Sequence, residues 1–394
     1  MKKLLLVGGG HSDIPLIRSA KRLGYRVITS GNRSKDLGHS ESDAYIPCDF
    51  SDPQEVLELA RSLEIDALCA CCNDFSALSC AYAAEKLGLP GHDSFETASI
   101  IHHKDAWRGY ASRYNYPSPR AHGCSDMKEV ERAANELRFP LIIKPVDLTG
   151  GKGIARAEAP KDALACAEAA FAISKAGRIV VEEFITGSRH GFTAMLRDRR
   201  VVFYFADDEH YHLPPYLVSA ASTPSSCPLA SINRLIEYSE AIASDLRLVD
   251  GIFHIQFIQP KVGDPVIIEI CRRPPGDLYI DLVRHTTGAP YAEWIVRAAS
   301  GMGIPDVHHM AERRCITRHC LMAHTPGIFA GFNFDPEVEM NIIDHMIWGR
   351  EGEIVHNADT HKFGIVFVEH RDAEHMREQA PNLQTLLSAR ILTQ

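Results

Sequence analysis

The sequence predicts a mixed chain, α/β in front and α+β behind, and three observations carry that prediction. From Lys3 to Gly88, short apolar runs alternate with amphipathic stretches, the order of a doubly wound βαβ domain. Beyond Pro117 the apolar runs pair as hairpins around charged turns. One of them, Val266-Ile-Ile-Glu-Ile-Cys-Arg-Arg-Pro-Pro-Gly-Asp277, reads as a buried strand that delivers the Glu269 carboxylate near its end, followed at once by Arg272, Arg273 and a glycine turn.

Taken in order, residues 3–7 form a short strand, Gly8-Gly9-Gly10 a turn and 14–23 an amphipathic helix. Residues 25–29 return as a strand and complete the βαβ unit. Then come a helix at 52–63, a strand at 67–72 and a helix at 75–87 closed by Gly88, so this domain ends near Gly91. The turn at Gly8 lacks the last glycine of a dinucleotide fingerprint, because Asp13 stands there; a substrate-facing or structural loop is the better reading. Residues 97–116 read as one helix with Lys104 early in it, stopped by Pro117 and Pro119. A helix at 127–137 follows, then a strand at 140–145 ending in Lys144, a helix at 160–176 and a strand at 178–185. Residues 192–205 read as a hairpin turning at 197–200, and 231–246 as a helix. Residues 251–259 pair with 266–271 as a second hairpin, and the segment from Cys315 carries strands and a last helix near Ala373.

Composition narrows the function. The 394 residues are 45% apolar and 24% charged, enough for two or three domains with real cores. A net charge of -9 leaves no basic footprint for nucleic acid. Eleven cysteines, without CxxC pairs except in the cluster Cys69, Cys71 and Cys72 of an apolar strand-like run, suit buried thiols in a reducing cytoplasm rather than a disulfide framework. The pairs His102-His103 and His308-His309 lack metal-ligand spacing and read as ordinary polar residues. The N-terminal apolar run is too short and too soon glycine-rich for a signal peptide, and no apolar stretch approaches the ~20 residues of a membrane span.

Several segments carry chemistry. A hard cation such as Mg²⁺ takes oxygen ligands and shares them with phosphates, which suits the carboxylate of Glu269. An arginine fork beside it suits a phosphate or carboxylate. Lys144 ends an apolar strand before Pro145, so its ammonium is aimed at one place. Thr149-Gly150-Gly151-Lys152-Gly153 offers free backbone N–H groups that can close over phosphates, and reads equally as a mobile hairpin tip. Lys104 alone reads also as a solvated helix residue.

Lys104, Lys144 with the 149–153 loop, Glu182-Glu183-Phe184-Ile185, Gln256, and Glu269 with Arg273 follow one another in an order and spacing that resembles the ATP-grasp superfamily, in particular its carboxylate–amine ligases. The resemblance covers essentially the whole chain. It implies three parts: a Rossmann-like domain at 1–96, a two-lobed ATP-grasp domain at 97–304 with its small lobe at about 120–188, and a C-terminal α+β domain at 305–394. It implies ATP and Mg²⁺, or Mn²⁺, as cofactors, with Lys104, Lys144, Gly150, Gly151, Lys152 and Gly153 on the phosphates. Glu182, Glu183, Phe184 and Ile185 would read the base. The family's ribose acid is missing after Gly187, and His190 is the candidate in its stead. Gln256 stands where most members carry an acid, as glutamine does in the large subunit of carbamoyl phosphate synthetase; Glu269 is the second metal ligand, and Cys271, where asparagine is usual, only packs. Arg273, with Lys144, would serve catalysis, and Arg272, Arg273, Gly276 and Arg284 the substrate. The implied reaction is ATP-dependent joining of a small-molecule carboxylate to an amine. A carboxylase working through carboxyphosphate, a non-catalytic nucleotide-binding protein and an NAD(P)-linked enzyme are the rivals. No nucleic acid or membrane partner is expected, and a cytoplasmic homodimer is compatible with the chain.

Overall fold

The computed structural model describes residues 1–148, 150–212, 216–307 and 314–393. Thr149 of the glycine loop and the His308-His309 pair lie outside the described residues. The chain forms two compact units, one from the described residues of 1–205, 228–276 and 290–309, the other from those of 206–227, 277–289 and 310–394.

The first unit begins with a four-stranded parallel sheet in the order Ala44–Pro47, Arg26–Gly31, Lys3–Val7, Ala67–Ala70. Leu4, Leu5, Leu6 and Val7 are fully buried, as a central parallel strand covered on both faces requires. Helix Pro53–Leu63 starts on an Asp52 cap, whose side chain accepts from the Gln54 and Glu55 amides. Helix Asp74–Leu87 starts on an Asn73 cap and ends at Gly88 in the left-handed region. The edge strand Ala44–Pro47 escaped the sequence reading because it has four residues, mostly half-buried, too few for a period to show.

The single helix expected over 97–116 is two helices, Phe95–His102 and Lys104–Tyr114. His103 breaks them with an extended backbone (φ -97°, ψ 120°), so Lys104 opens the second helix. The break leaves the apolar pattern intact, which is why periodicity missed it.

A four-stranded antiparallel sheet follows, in the order Ala121–Cys124, Ile179–Glu183, Leu141–Pro145, Ala155–Ala157. Helices Met127–Glu136 and Pro160–Ile173 cover one face through Val130, Ala133, Ala163, Ala167 and Ala170. Its other face is left for polar side chains. Beside it in sequence, Ser188–Arg197 pairs with Gly251–Gln259, which pairs with Val266–Cys271, all antiparallel.

In the second unit the end of strand Arg200–His210 pairs with Ala220–Thr223, and the sheet continues through Cys315–Met322, Lys362–His370 and Ile342–Ile347. A small sheet, Ile354–Val355, Gly327–Phe334 and Leu387–Leu392, closes over Phe329 and Phe363, whose rings stack at 4.0 Å. Among the described residues no helix is long and apolar enough to cross a membrane.

Candidate active site

The polar face of the antiparallel sheet carries the densest buried charge in the first unit. Lys144 and Glu182 lie on adjacent strands, where Lys144 is opposite Val180 and Glu182 opposite Ile142, so their side chains are diagonal neighbours on one face. Lys144 Nζ donates to Glu182 Oε1 at 2.7 Å, and both residues are buried. Burial pushes the Lys144 ammonium down to about 8, with Glu182 opposing and the Arg108 and Lys104 charges adding to the fall. Burial alone would raise Glu182, but Arg108 and Lys144 hold its carboxyl below the usual range.

Helix Lys104–Tyr114 supplies two cations one turn apart on this side. Lys104 Nζ donates to Leu148 O at 2.9 Å and lies 4.0 Å from Glu269 Oε1. Arg108 Nε donates to Glu182 Oε2 at 2.9 Å, and its Nη2 to Ile268 O at 2.7 Å. Arg108 thus ties the strand bearing Glu182 to the strand bearing Glu269.

Gln256 and Glu269 are direct cross-strand partners, both half-buried, with a bulge just after Gln256. Their two oxygens form a small hard donor set. Among the described residues no cluster of three His, Cys, Asp or Glu side chains is placed to hold a metal by itself. This pair fits Mg²⁺, which accepts few protein ligands and completes its shell from phosphates and water. Cys271 is buried, its thiol pushed up to about 12 chiefly by burial, and its Sγ lies 3.5 Å from Arg273 O; it packs.

The described part of the glycine loop has a left-handed backbone at its glycines. Gly150, Gly151 and Gly153 all have φ between 67° and 75°, a region other residues avoid. Lys152 is exposed at its tip. Glu183 faces away from Glu182 and accepts from Arg138 Nη2 at 2.9 Å, which ties its strand to the turn before Leu141. Phe184 and Ile185 follow the strand half-buried, and the Arg156 guanidinium sits 4.3 Å from the Phe184 ring. His190 is buried, with its ring stacked on Phe257 at 5.1 Å and Nε2 2.6 Å from Ser188 Oγ.

Residues 103–214 match the model of the phosphoribosylglycinamide synthetase ATP-grasp (A) domain. The chain is 25% identical over 270 residues to the carbamoyl phosphate synthase large chain of Beutenbergia cavernae, across 65% of this chain and 24% of that one. It is 24% identical over 291 residues to the phosphoribosylamine–glycine ligase of Pyrococcus furiosus, across 68% and 65%. The chain therefore spans about a quarter of the length of the first of these curated relatives. In structure it resembles the L-amino acid ligase of Bacillus licheniformis, with a TM-score of 0.82 and 19% identity over 100% of this chain and 99% of that one. The chain has the ATP-grasp fold.

Around this ATP-grasp centre the arginines after Glu269 divide sharply. Arg273 is half-buried and paired twice with Asp74, Nε to Oδ1 at 3.0 Å and Nη2 to Oδ2 at 2.7 Å, while its Nη1 donates to Pro274 O at 3.2 Å. Asp74 also takes His102 Nδ1 at 2.8 Å. Because a carboxylate only accepts, Nδ1 is the donor, and Nε2 is left facing the Arg272 amide at 3.4 Å. His102, read from sequence as an ordinary polar residue, is a buried member of this cluster. Arg272 is spent on structure: it donates to Asp93 Oδ2 at 2.7 Å, to Val249 O at 2.6 Å and to Ile252 O, with 8% of its side chain exposed. That placement leaves its guanidinium no donor face for a substrate. Arg284 belongs to the second unit, half-exposed and paired with Asp281 at 2.9 Å and Asp344 at 3.4 Å. Gly276 ends the second segment of the first unit, and Asp277 and Leu278 follow it in the chain with φ of 55° and 57°.

Arg108, Asp74 and Asp93 were missed from the sequence. Arg108 had one available signal, its spacing of four residues from Lys104 on a helix. Asp74 and Asp93 had none, because their partners are distant in the chain.

Proposed function

We propose that this ATP-grasp protein is an ATP-dependent ligase that activates a small-molecule carboxylate as an acyl phosphate for attack by an amine, giving an amide, ADP and phosphate. The observation that carries the reading is Lys104: it reaches within 4.0 Å of Glu269 while Arg108, one turn on, holds Glu182 beside Lys144. One helix thus sets a row of buried cations against the oxygen pair Gln256–Glu269, the charge pattern a polyphosphate with a hard cation requires. The names of two proteins that the chain resembles, a phosphoribosylamine–glycine ligase and an L-amino acid ligase, agree with this class.

Lys104 and Lys144 would bind phosphate oxygens and stabilise the charge that spreads over the transferring group. Gln256 and Glu269 would hold Mg²⁺, which supplies charge neutralisation at the phosphates. The carboxylate substrate attacks the γ-phosphorus, the bond to ADP breaks, and the amine then displaces phosphate from the acyl carbon while losing one proton. The glycine loop at 150–153 would close over the phosphates and keep water from the acyl phosphate. Arg273, held by Asp74, would present its remaining edge to the substrate carboxylate or its phosphate.

The test is ADP release and hydroxylamine trapping across amino acids, purine-pathway acids and bicarbonate. A carboxylate-dependent hydroxamate supports the ligase. ADP release with bicarbonate alone would favour a carboxylase. Tight ATP binding with no turnover on any acid would sink the catalytic reading.

A further inference from the structure

Glu182 has both carboxylate oxygens occupied by cations, Oε1 by Lys144 and Oε2 by Arg108. Arg108 is 3% exposed, and its Nη1 is buried without a hydrogen-bond partner among the described residues. A guanidinium buried with one free edge beside a carboxylate already shared with a lysine is costly to fold unless the bound state uses it. Resting on the nucleotide reading above, we propose that Arg108 is a positioning residue of the nucleotide site, which clamps Glu182 so that Lys144 is fixed in place and its charge is partly released to phosphate.

The geometry behind this is a chain of three links. Ile268 O holds Nη2 at 2.7 Å, which fixes the guanidinium against the strand that carries Glu269. Nε then fixes one oxygen of Glu182, and the other oxygen fixes Lys144 Nζ. Because Arg108 draws on the same carboxylate, Lys144 is incompletely neutralised and stays able to bind an anion. A lysine with Glu182 to itself would be held in a closed pair that phosphate must break.

The groups facing Lys144 are Glu182 on the neighbouring strand and Arg108 and Lys104 on the helix. Glu182 raises its pKa, and the two cations lower it to about 8 on top of burial. Bound phosphate favours the ammonium, so affinity is full below about 8 and falls as pH rises past it. Removing the Arg108 charge takes away one lowering influence and moves that fall to higher pH.

The experiment is calorimetric binding of Mg·ATP from pH 6.5 to 9.5 (about the range over which such a group titrates) for the full chain and for Arg108→Met, Arg108→Gln, Arg108→Lys and Lys144→Arg. Expected are a fall in wild-type affinity near pH 8, a shift of that fall to higher pH in Arg108→Met, little shift in Arg108→Lys, and no fall in Lys144→Arg. Arg108→Gln keeps a donor for Ile268 O and stands in should the methionine variant not fold; the same upward shift is expected. An unmoved fall in a variant with lowered melting temperature would make Arg108 a structural tie only and overturn the proposal. A flat wild-type profile overturns it too, since Lys144's charge is then not what the ligand reads. Failure of wild type to bind Mg·ATP at any pH would instead bring down the nucleotide reading itself, and this inference with it.

Discussion

Asp74→Asn should be the most damaging single-atom change in the first unit. The Asp74 side chain is 10% exposed and accepts three hydrogen bonds, two from Arg273 at 2.7 and 3.0 Å and one from His102 at 2.8 Å. The amide keeps one acceptor oxygen and turns the other into a donor aimed at a guanidinium 12% exposed. Breaking a buried pair while leaving one charge in place costs about 3–5 kcal/mol, and the retained oxygen puts this variant at the lower end, about 3 kcal/mol. The acid dependence provides a second reading. Burial by itself would raise the Asp74 carboxyl, but Arg273 and His102 hold it well below the usual carboxylate range. A group with a depressed folded pKa stabilises above its unfolded value, near 4, and that contribution drains away as pH falls further. Wild type should therefore lose stability steeply below about pH 4, and the variant should be weaker at pH 7 but flatter through that window. Urea denaturation at pH 7 and at steps down to about pH 3 measures both. A variant within about 1 kcal/mol of wild type at pH 7, or one with the same acid slope, would show that Asp74 does not carry the Arg273 charge.

Three further outcomes are expected. Lys144→Met should weaken ATP binding by about 1.5–3 kcal/mol, the worth of a charge-assisted contact, and calorimetry at pH 7 reads it directly; unchanged affinity would remove Lys144 from the site. Glu269→Gln should move the Mg²⁺ dependence of ATP binding to higher metal concentration, and Gln256→Glu should move it lower by adding a charge opposite Glu269, whereas a metal titration that is flat in both would deny the pair its ligand role. Asp277→Asn should destabilise the second unit by about 3–5 kcal/mol. It strands Lys362, held at 2.6 and 2.7 Å, and the buried Arg318 at 3.5 Å. Denaturant melts that coincide with wild type would refute that account.

Sequence alone determined most of the elements, though not the strand Ala44–Pro47. Apolar strands such as Leu4–Val7 and Leu141–Ile143 are legible because burial on both faces demands a continuous apolar run. Helix ends at Asp52, Asn73 and Gly88 are legible because capping is a local bond or a local backbone angle. Lys104, Lys144, Glu182, Gln256 and Glu269 were read as a set because their order and spacing resemble the ATP-grasp superfamily. The break at His103 was not, since the helical period runs through it.

Tertiary structure alone decided how those charges are shared. Lys144 and Glu182 are 38 residues apart, Arg108 and Glu182 74, and Arg273 and Asp74 199. No local pattern records such pairings, because the two members meet only when separate sheets and helices stack. The same distance effect divided the neighbouring Arg272 and Arg273: backbone carbonyls and Asp93 absorb one guanidinium, while Asp74 holds the other. In one dimension the two arginines are equivalent. Only the packed fold, where a guanidinium withdrawn from water must find its acceptors among whatever the chain brings near, gives the two different partners.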